Sequence, residues 1–418
     1  MSLYGALYAG VSGLSAQSNA IGIISDNIAN VNTVGYKGTS ARFSTLVTQQ
    51  ATQSLHSPGG VKSQPFNHID QQGLLQATAS STDIAIAGNG FFVVNESATP
   101  GVGDEYLFTR AGSFFPDQNG DLVNTAGFFL QGYDLGAGPA TTSASTVTGL
   151  QTVNVANLAG TATPTSTLEI GLNLPSTAAV ADTETLTIQV YDSLGNSHDV
   201  DMVFAKTATN AWSITPQNPT LTSSGVASGT ITSAAGSITF NGDGTPATIT
   251  MPTVDITWTV GGANNSSITV NAGTLGQTDG ITQFAGEFTV SKSNQNGVSF
   301  GNFAGVSIDE QGIVTALFDN GETLDIYHVP VAIFQSPNGL SSETGNVFQQ
   351  TSRSGPFLLN LPQVGGAGVV APSSLEASTV DLANEFTNMI VVQRAYSASA
   401  EIITTADEML EELIRISR

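Results

Sequence analysis

The sequence contains no cysteine, which excludes disulfides and thiolate metal sites, so no redox change can unfold the chain. Basic residues are nearly as scarce: 10 Lys and Arg stand against 33 Asp and Glu, a formal charge of −23. Nucleic acid and anionic lipid both need clustered Lys and Arg, so neither is expected as a partner. Charged residues make up only 10% of the chain and the acids form no long run, which reads as solvated surface rather than an acidic tail. No stretch is apolar enough to span a bilayer, so membrane insertion is not expected. The first lysine is Lys37, and the N-terminus lacks the basic and apolar regions of a secretory signal peptide. If the chain leaves the cell, another route is implied. Its 418 residues leave room for two or three domains with their own cores.

What is present is most strongly patterned at the two ends. From Leu3 to Lys37, Leu7, Leu14, Ile21 and Ile28 recur every seven residues, and Leu3, Gly10, Gln17, Ile24 and Val31 interleave at three- and four-residue steps. This is the seam of a coiled-coil-like helix ending near Ala29 to Val31, where Asn30, Asn32 and Gly35 tolerate turn conformations. Its other face, Gly5, Ala9, Ser12, Ala16 and Asn19, is small enough for a backbone to come close. Gly10, Gly13 and Gly22 each cost such a helix roughly 1 kcal/mol relative to alanine, so it needs partners. At the other end, a capping box over Ser378 to Asp381 precedes Leu382, Met389, Tyr396, Ile403 and Leu410, again seven apart, which with Phe386 are expected at the assembly interface. A second stripe, Val391, Ala395, Ala398, Ile402, Thr405 and Met409, lies nearly opposite. A pair formed by the two terminal helices covers only one stripe, which leaves an apolar face for assembly.

Between the ends the patterning is β. Residues 38–72 and 336–374 are polar, rich in turn residues and without sustained period, and read as extended connectors. Residues 73–146 with 285–335 carry alternating apolar runs, among them DIAIAGNGFFVVN and GVSIDEQGIVTALFDNGETLDIYHVPVAIF, and form an inner β domain. Residues 147–284, rich in Thr, Ser, Ala, Gly and Asn with short strands such as LTIQVYD and DITWTV, form an inserted outer antiparallel sandwich or barrel. The helical assembly domain is 1–37 with 375–418. The fold class is thus mixed and mainly β.

Catalytic and metal chemistry finds little footing. Gly297-Val298-Ser299-Phe300-Gly301, followed by Asp309 and His328, matches a hydrolase elbow in spacing, but a strand pattern rather than a helix follows the serine. Asp117, Asn119 and Asp121 match half a calcium loop whose twelfth position is Phe128 instead of a bidentate glutamate, so a hairpin turn is expected. His56, His68, His198 and His328 lack metal-ligand spacing, and no Walker-type loop is present. No enzymatic activity, cofactor or metal is expected.

The stretch SGLSAQSNAIGIISDNIANVNTVGYKG resembles the N-terminal signature of the bacterial flagellar rod and hook family, with Asp26 where asparagine and Tyr36 where phenylalanine is usual. SSLEASTVDLANEFTNMIVVQRAYSASAEIITTADEMLEEL is similar to its C-terminal signature, with Thr379 replacing an asparagine. NGFFVV, TRAGSF and GFFLQGYD resemble the family's inner β domain, and ETLTIQVYDSLGNSHDVDMVFAK its outer one. The resemblance implies a self-polymerising structural subunit exported by the flagellar type III pathway to the outside of the cell. It implies as partners rod proteins, a hook cap, hook-filament junction proteins and the export apparatus. The large middle insertion favours a hook-type member, with a torque-transmitting universal joint as its function. A distal rod protein of the basal body and a secreted β-rich adhesin are the alternative readings.

Overall fold

The seven-residue spacing at the N-terminus is realised as helix α1 (Leu3–Ala29), and that at the C-terminus as α2 (Leu382–Ile416). The computed structural model describes residues 3–46, 59–101, 103–136, 147, 149–156, 160 and 162–416. Two compact units emerge: Met1–Asn157, Val306–Ala316 and Leu324–Arg418 form the first, Leu158–Gly305 and Leu317–Thr323 the second.

The second unit is a sandwich of two six-stranded sheets around one core. In one sheet Thr183–Tyr191, Ser197–Ala208, Ala211–Pro216, Gly236–Phe240 and Pro246–Thr250 follow as antiparallel neighbours. Alternation is strict along Ser197–Ala208, where every second residue from His198 to Lys206 is buried. The other sheet departs from the expected antiparallel pattern, because Thr167–Asn173 pairs in parallel with both Ser266–Asn271 and Ile281–Thr282. His198 reaches from the first sheet to the second. Its Nδ1 lies 2.8 Å from Ser228 Oγ, its Nε2 3.2 Å from Asp192 Oδ2, and its ring stacks on Trp258 at 4.1 Å. Burial pushes the Asp192 carboxyl up, but bonds from Asn196, His198 and the Leu194 amide prevail and hold it below the usual range.

The expected limits of the inserted domain, 147 and 284, both shift. Leu150–Thr152 pairs with Phe129–Asp134 and stays in the first unit. Thr289–Gln295 pairs antiparallel with Thr167–Asn173 and belongs to the second, although its nearly all-exposed side chains give it no apolar period.

In the first unit, Phe91–Asn95 pairs with Leu107–Thr109, Phe129–Asp134 and Val331–Phe334, and Phe91, Phe108, Phe334 and Phe348 pack edge to face in its core. The four strands expected from Gly305 to Phe334 are present. The segments read as irregular connectors are instead built into ladders. β1 (Thr39–Thr45) and β2 (Val61–Asn67) form a seven-pair antiparallel hairpin. Val347–Gln349, Phe357–Asn360, Val369–Pro372 and Ser374–Glu376 each pair with strands of the first unit. Backbone hydrogen bonds hold this pairing, and the few side chains these strands bury, among them Phe348, Leu359, Val370 and Glu376, are too sparse to leave a period in the sequence.

Candidate assembly interface

α1 and α2 pack as an antiparallel pair. A methyl group added at Gly10 would sit 3.0 Å from Ile403 Cγ1, and one at Gly13 3.0 Å from Ser399 Oγ, while Asn27 Nδ2 donates to Glu385 Oε1 at 2.8 Å. The glycines that weaken α1 in isolation are therefore what lets α2 approach. Gly22 meets nothing within 4 Å and has no such role.

Buried positions on α1 are Gly10 and Ile24 of the expected seam, Ala16 of its small face, and Ala20 and Asn27, while Leu7, Leu14, Ile21 and Ile28 are half-buried beside this covered line. Leu3 opens the helix. On α2, Met389, Ile403 and Leu410 are half-buried with Val392 and Ser399, and Ala406 is buried. Leu382, Phe386 and Tyr396 are exposed at 39%, 51% and 40%. Among these residues the structure brings Ile24, Met389, Ile403 and Leu410 into the covered face. Small residues supply the other half of the contact, and apolar spacing alone could not reveal them.

The remaining α2 surface carries large apolar side chains among its polar ones: Ile390, Val391, Ile402, Met409, Leu413 and Ile416 are 48–76% exposed, as are Tyr4, Tyr8 and Val11 of α1 at 55–76%. The hairpin covers another side of α1, where the Val61 amide donates to Ser12 Oγ at 3.2 Å and Asn19 Nδ2 to Ser63 Oγ at 3.3 Å. Asp381, not Ser378, caps α2: its Oδ1 accepts from the amides of Ala383 and Asn384 at 2.9 and 3.3 Å. The helix starts one residue after it, too far from Ser378, whose hydroxyl instead accepts from the Val380 amide.

At the feet of the helices lies a buried ionic cluster that periodicity could not indicate. Glu376 Oε1 is 2.5 Å from Lys37 Nζ and accepts the Gly73 amide at 2.6 Å, and its Oε2 is 3.2 Å from Arg110 Nη1. All three charged side chains are at most 4% exposed. Burial pushes the Lys37 ammonium below the usual lysine range, and the Glu376 charge beside it opposes that shift. Gly35, at φ +68°, donates its amide to Glu376 O, and an added Cβ there would strike the Arg110 carbonyl carbon at 2.7 Å. Thr379 bonds Tyr36 and Gly38, and the buried Asn27 has bonds to Thr39, Tyr36 and Glu385. The exit of α1 and the entry of α2 are thus one hydrogen-bonded joint.

Four family models match in chain order: "Flagella basal body rod protein" over residues 7–37, "Flagellar hook protein FlgE/F/G D1 domain" over 85–189, "Flagellar basal body protein FlaE D2 domain" over 157–298, and "Flagellar basal body rod FlgEFG protein C-terminal" over 371–416. The flagellar hook protein FlgE of Rhizobium meliloti is 37% identical over 428 residues, and that of Brucella suis 36% over 423, each alignment covering all of both chains. The chain belongs to the flagellar hook protein family. The hook protein FlgE of Escherichia coli is 30% identical over 97% of this chain and 98% of its own. A solved structure of Helicobacter pylori flagellar hook protein FlgE2 overlays 72% of this chain and all of its own, with TM-score 0.49 and 12% identity.

The residues weighed for other chemistry serve as local structure in this hook-family chain. Asp309 Oδ1 accepts the amides of Gln311 and Ile313, and His328 Nε2 lies 2.8 Å from Gln311 O. Both belong to the first unit, whereas Ser299 belongs to the second and is followed by the strand Phe303–Ile308. Asp117 Oδ1 closes the turn between Phe114–Pro116 and Leu122–Asn124 through the amides of Asn119 and Asp121. His68 Nε2 lies 2.9 Å from Ser40 Oγ, and His56 falls outside the described residues.

Proposed function

We propose that this chain is the structural subunit of the bacterial flagellar hook, polymerising through its terminal helices into a curved, flexible tube that carries motor torque to the filament. The observation that carries this reading is the apolar surface the helix pair leaves open, since fully burying each large side chain on it contributes about 1.5–3 kcal/mol. Leu7, Leu14, Ile21 and Ile28, half-buried beside the covered line, and the exposed Leu382, Phe386 and Tyr396 are the intermolecular contacts in this reading. Met389, Ile403 and Leu410 hold the pair itself together. The subunit is exported to the outside of the cell and meets rod, cap, junction and export proteins.

The test is electron microscopy of the purified full chain and of Ile21→Asp and Phe386→Asp variants. An unpaired carboxylate in a buried seam costs several kcal/mol. Tubes from the parent, none from the variants, and unchanged melting of the second unit are expected. Normal tubes from both variants would remove the helices as the assembly element.

A further inference from the structure

Each copy carries a net charge of −23, so copies repel one another, and their contacts have few cations to draw on. Among the described residues Lys37, Arg110 and Lys206 are buried, Lys292 pairs with Glu169, and Arg415 pairs with Glu412. That leaves Arg42, Lys62, Arg353 and Arg394 exposed and without an ion pair.

Two of these four share one face of the β1–β2 hairpin. Arg42 is opposite Gln64 and Ser44 is opposite Lys62, alternating with the pairs Phe43–Ser63 and Thr45–Val61. Directly opposed residues share a face. Ser63 lies against Asn19 of α1, so Arg42 and Lys62 point the other way, into solvent, with the Arg42 guanidinium 3.3 Å above the Phe66 ring.

The complementary surface is on α2. Its C-terminal half exposes Glu401, Asp407, Glu408, Glu411 and Glu412. The like-charged pairs Asp407–Glu411 and Glu408–Glu412 repel at i,i+4 spacing, and Arg415 pairs only with Glu412. This charge pattern works against the helix that bears it, and an external cation relieves it.

We infer that in the polymer the outward face of the β1–β2 hairpin docks on the acidic C-terminal half of α2 of a second copy, with Arg42 and Lys62 neutralising its carboxylates. The inference rests on the polymerising-subunit reading and adds to it a polar contact that sets partner register beside the apolar seams.

The experiment measures the critical concentration for tube formation of the full chain by sedimentation, in low salt and in about 0.5 M NaCl. Lys62→Glu should raise it by about tenfold in low salt, with little change in high salt. Glu408→Lys combined with Lys62→Glu should restore it towards the parent value, and Lys62→Gln should fall between. Monomer melting tracks folding of every variant, and the exposed position of Lys62 predicts no change. A parent that forms no tubes overturns the polymer reading and this contact with it. A parent that forms tubes, with Lys62→Glu and the double variant matching it at low salt, overturns the docking contact alone.

Discussion

Glu376→Gln tests whether the joint at the helix feet depends on charge or merely on shape. The substitution keeps the volume and one acceptor oxygen but leaves Lys37 and Arg110 facing each other around an uncharged amide. Glu376 is fully buried and receives three donors, two of them cationic, at 2.5, 2.6 and 3.2 Å. Removing one partner from a buried ion pair costs about 3–5 kcal/mol, a large share of the 5–15 kcal/mol typical of a domain. Chemical denaturation followed by hydrogen exchange should show the first unit weakened by that amount and the second, which has its own core, unmoved. The pH dependence supplies a second reading. Without Glu376 the folded-state pKa of Lys37 falls further below its ordinary 10.5, so the unfolded chain binds more protons than the folded one between the two values. Stability of the variant therefore recovers as pH rises towards 10.5, where losing the ammonium proton removes the unpaired charge. A loss under about 1 kcal/mol, the size of one ordinary hydrogen bond, or a deficit independent of pH, would refute the ionic account.

Gly22→Ala should stabilise α1 by about 1 kcal/mol because the site is open, whereas Gly10→Leu should separate the helix pair, as read by amide exchange along α1. Asp381→Ala should destabilise the start of α2 by about 1 kcal/mol, seen as faster exchange of the Ala383 and Asn384 amides. Because the Asp192 carboxyl is held below its ordinary 3.8, its contribution is fully present above that pH and is lost as pH falls through the lower folded value. Asp192→Asn should therefore flatten the acid limb of second-unit unfolding measured by tryptophan fluorescence. Tyr133, pushed by burial up to about 12 with a smaller effect from Tyr106, should lose its contribution between its ordinary 10.0 and that value, and Tyr133→Phe should be less sensitive to alkali.

Apolar spacing made both terminal helices and the alternating strands legible, because burial on one face imposes a period on the sequence. It missed Gly13 and Ala20 on the covered side of α1, which owe their position to small size rather than apolarity. It also missed the strands 39–45, 61–67 and 289–295, whose ladders rest on backbone hydrogen bonds while mostly polar side chains face outward. The ionic joint was invisible because Lys37, Arg110 and Glu376 come from three distant parts of the chain, and only the fold brings them within 3.2 Å.

The strand Thr167–Asn173 begins the second unit yet finds its partners in Ser266–Asn271, Ile281–Thr282 and Thr289–Gln295. Its pairing must wait until nearly the whole unit has been synthesised, and closing loops of about a hundred residues places folding in the millisecond-to-second range. The position of one strand thus makes slow folding a property of the topology, and keeps the nascent subunit extended for longer than a sequence of local hairpins would.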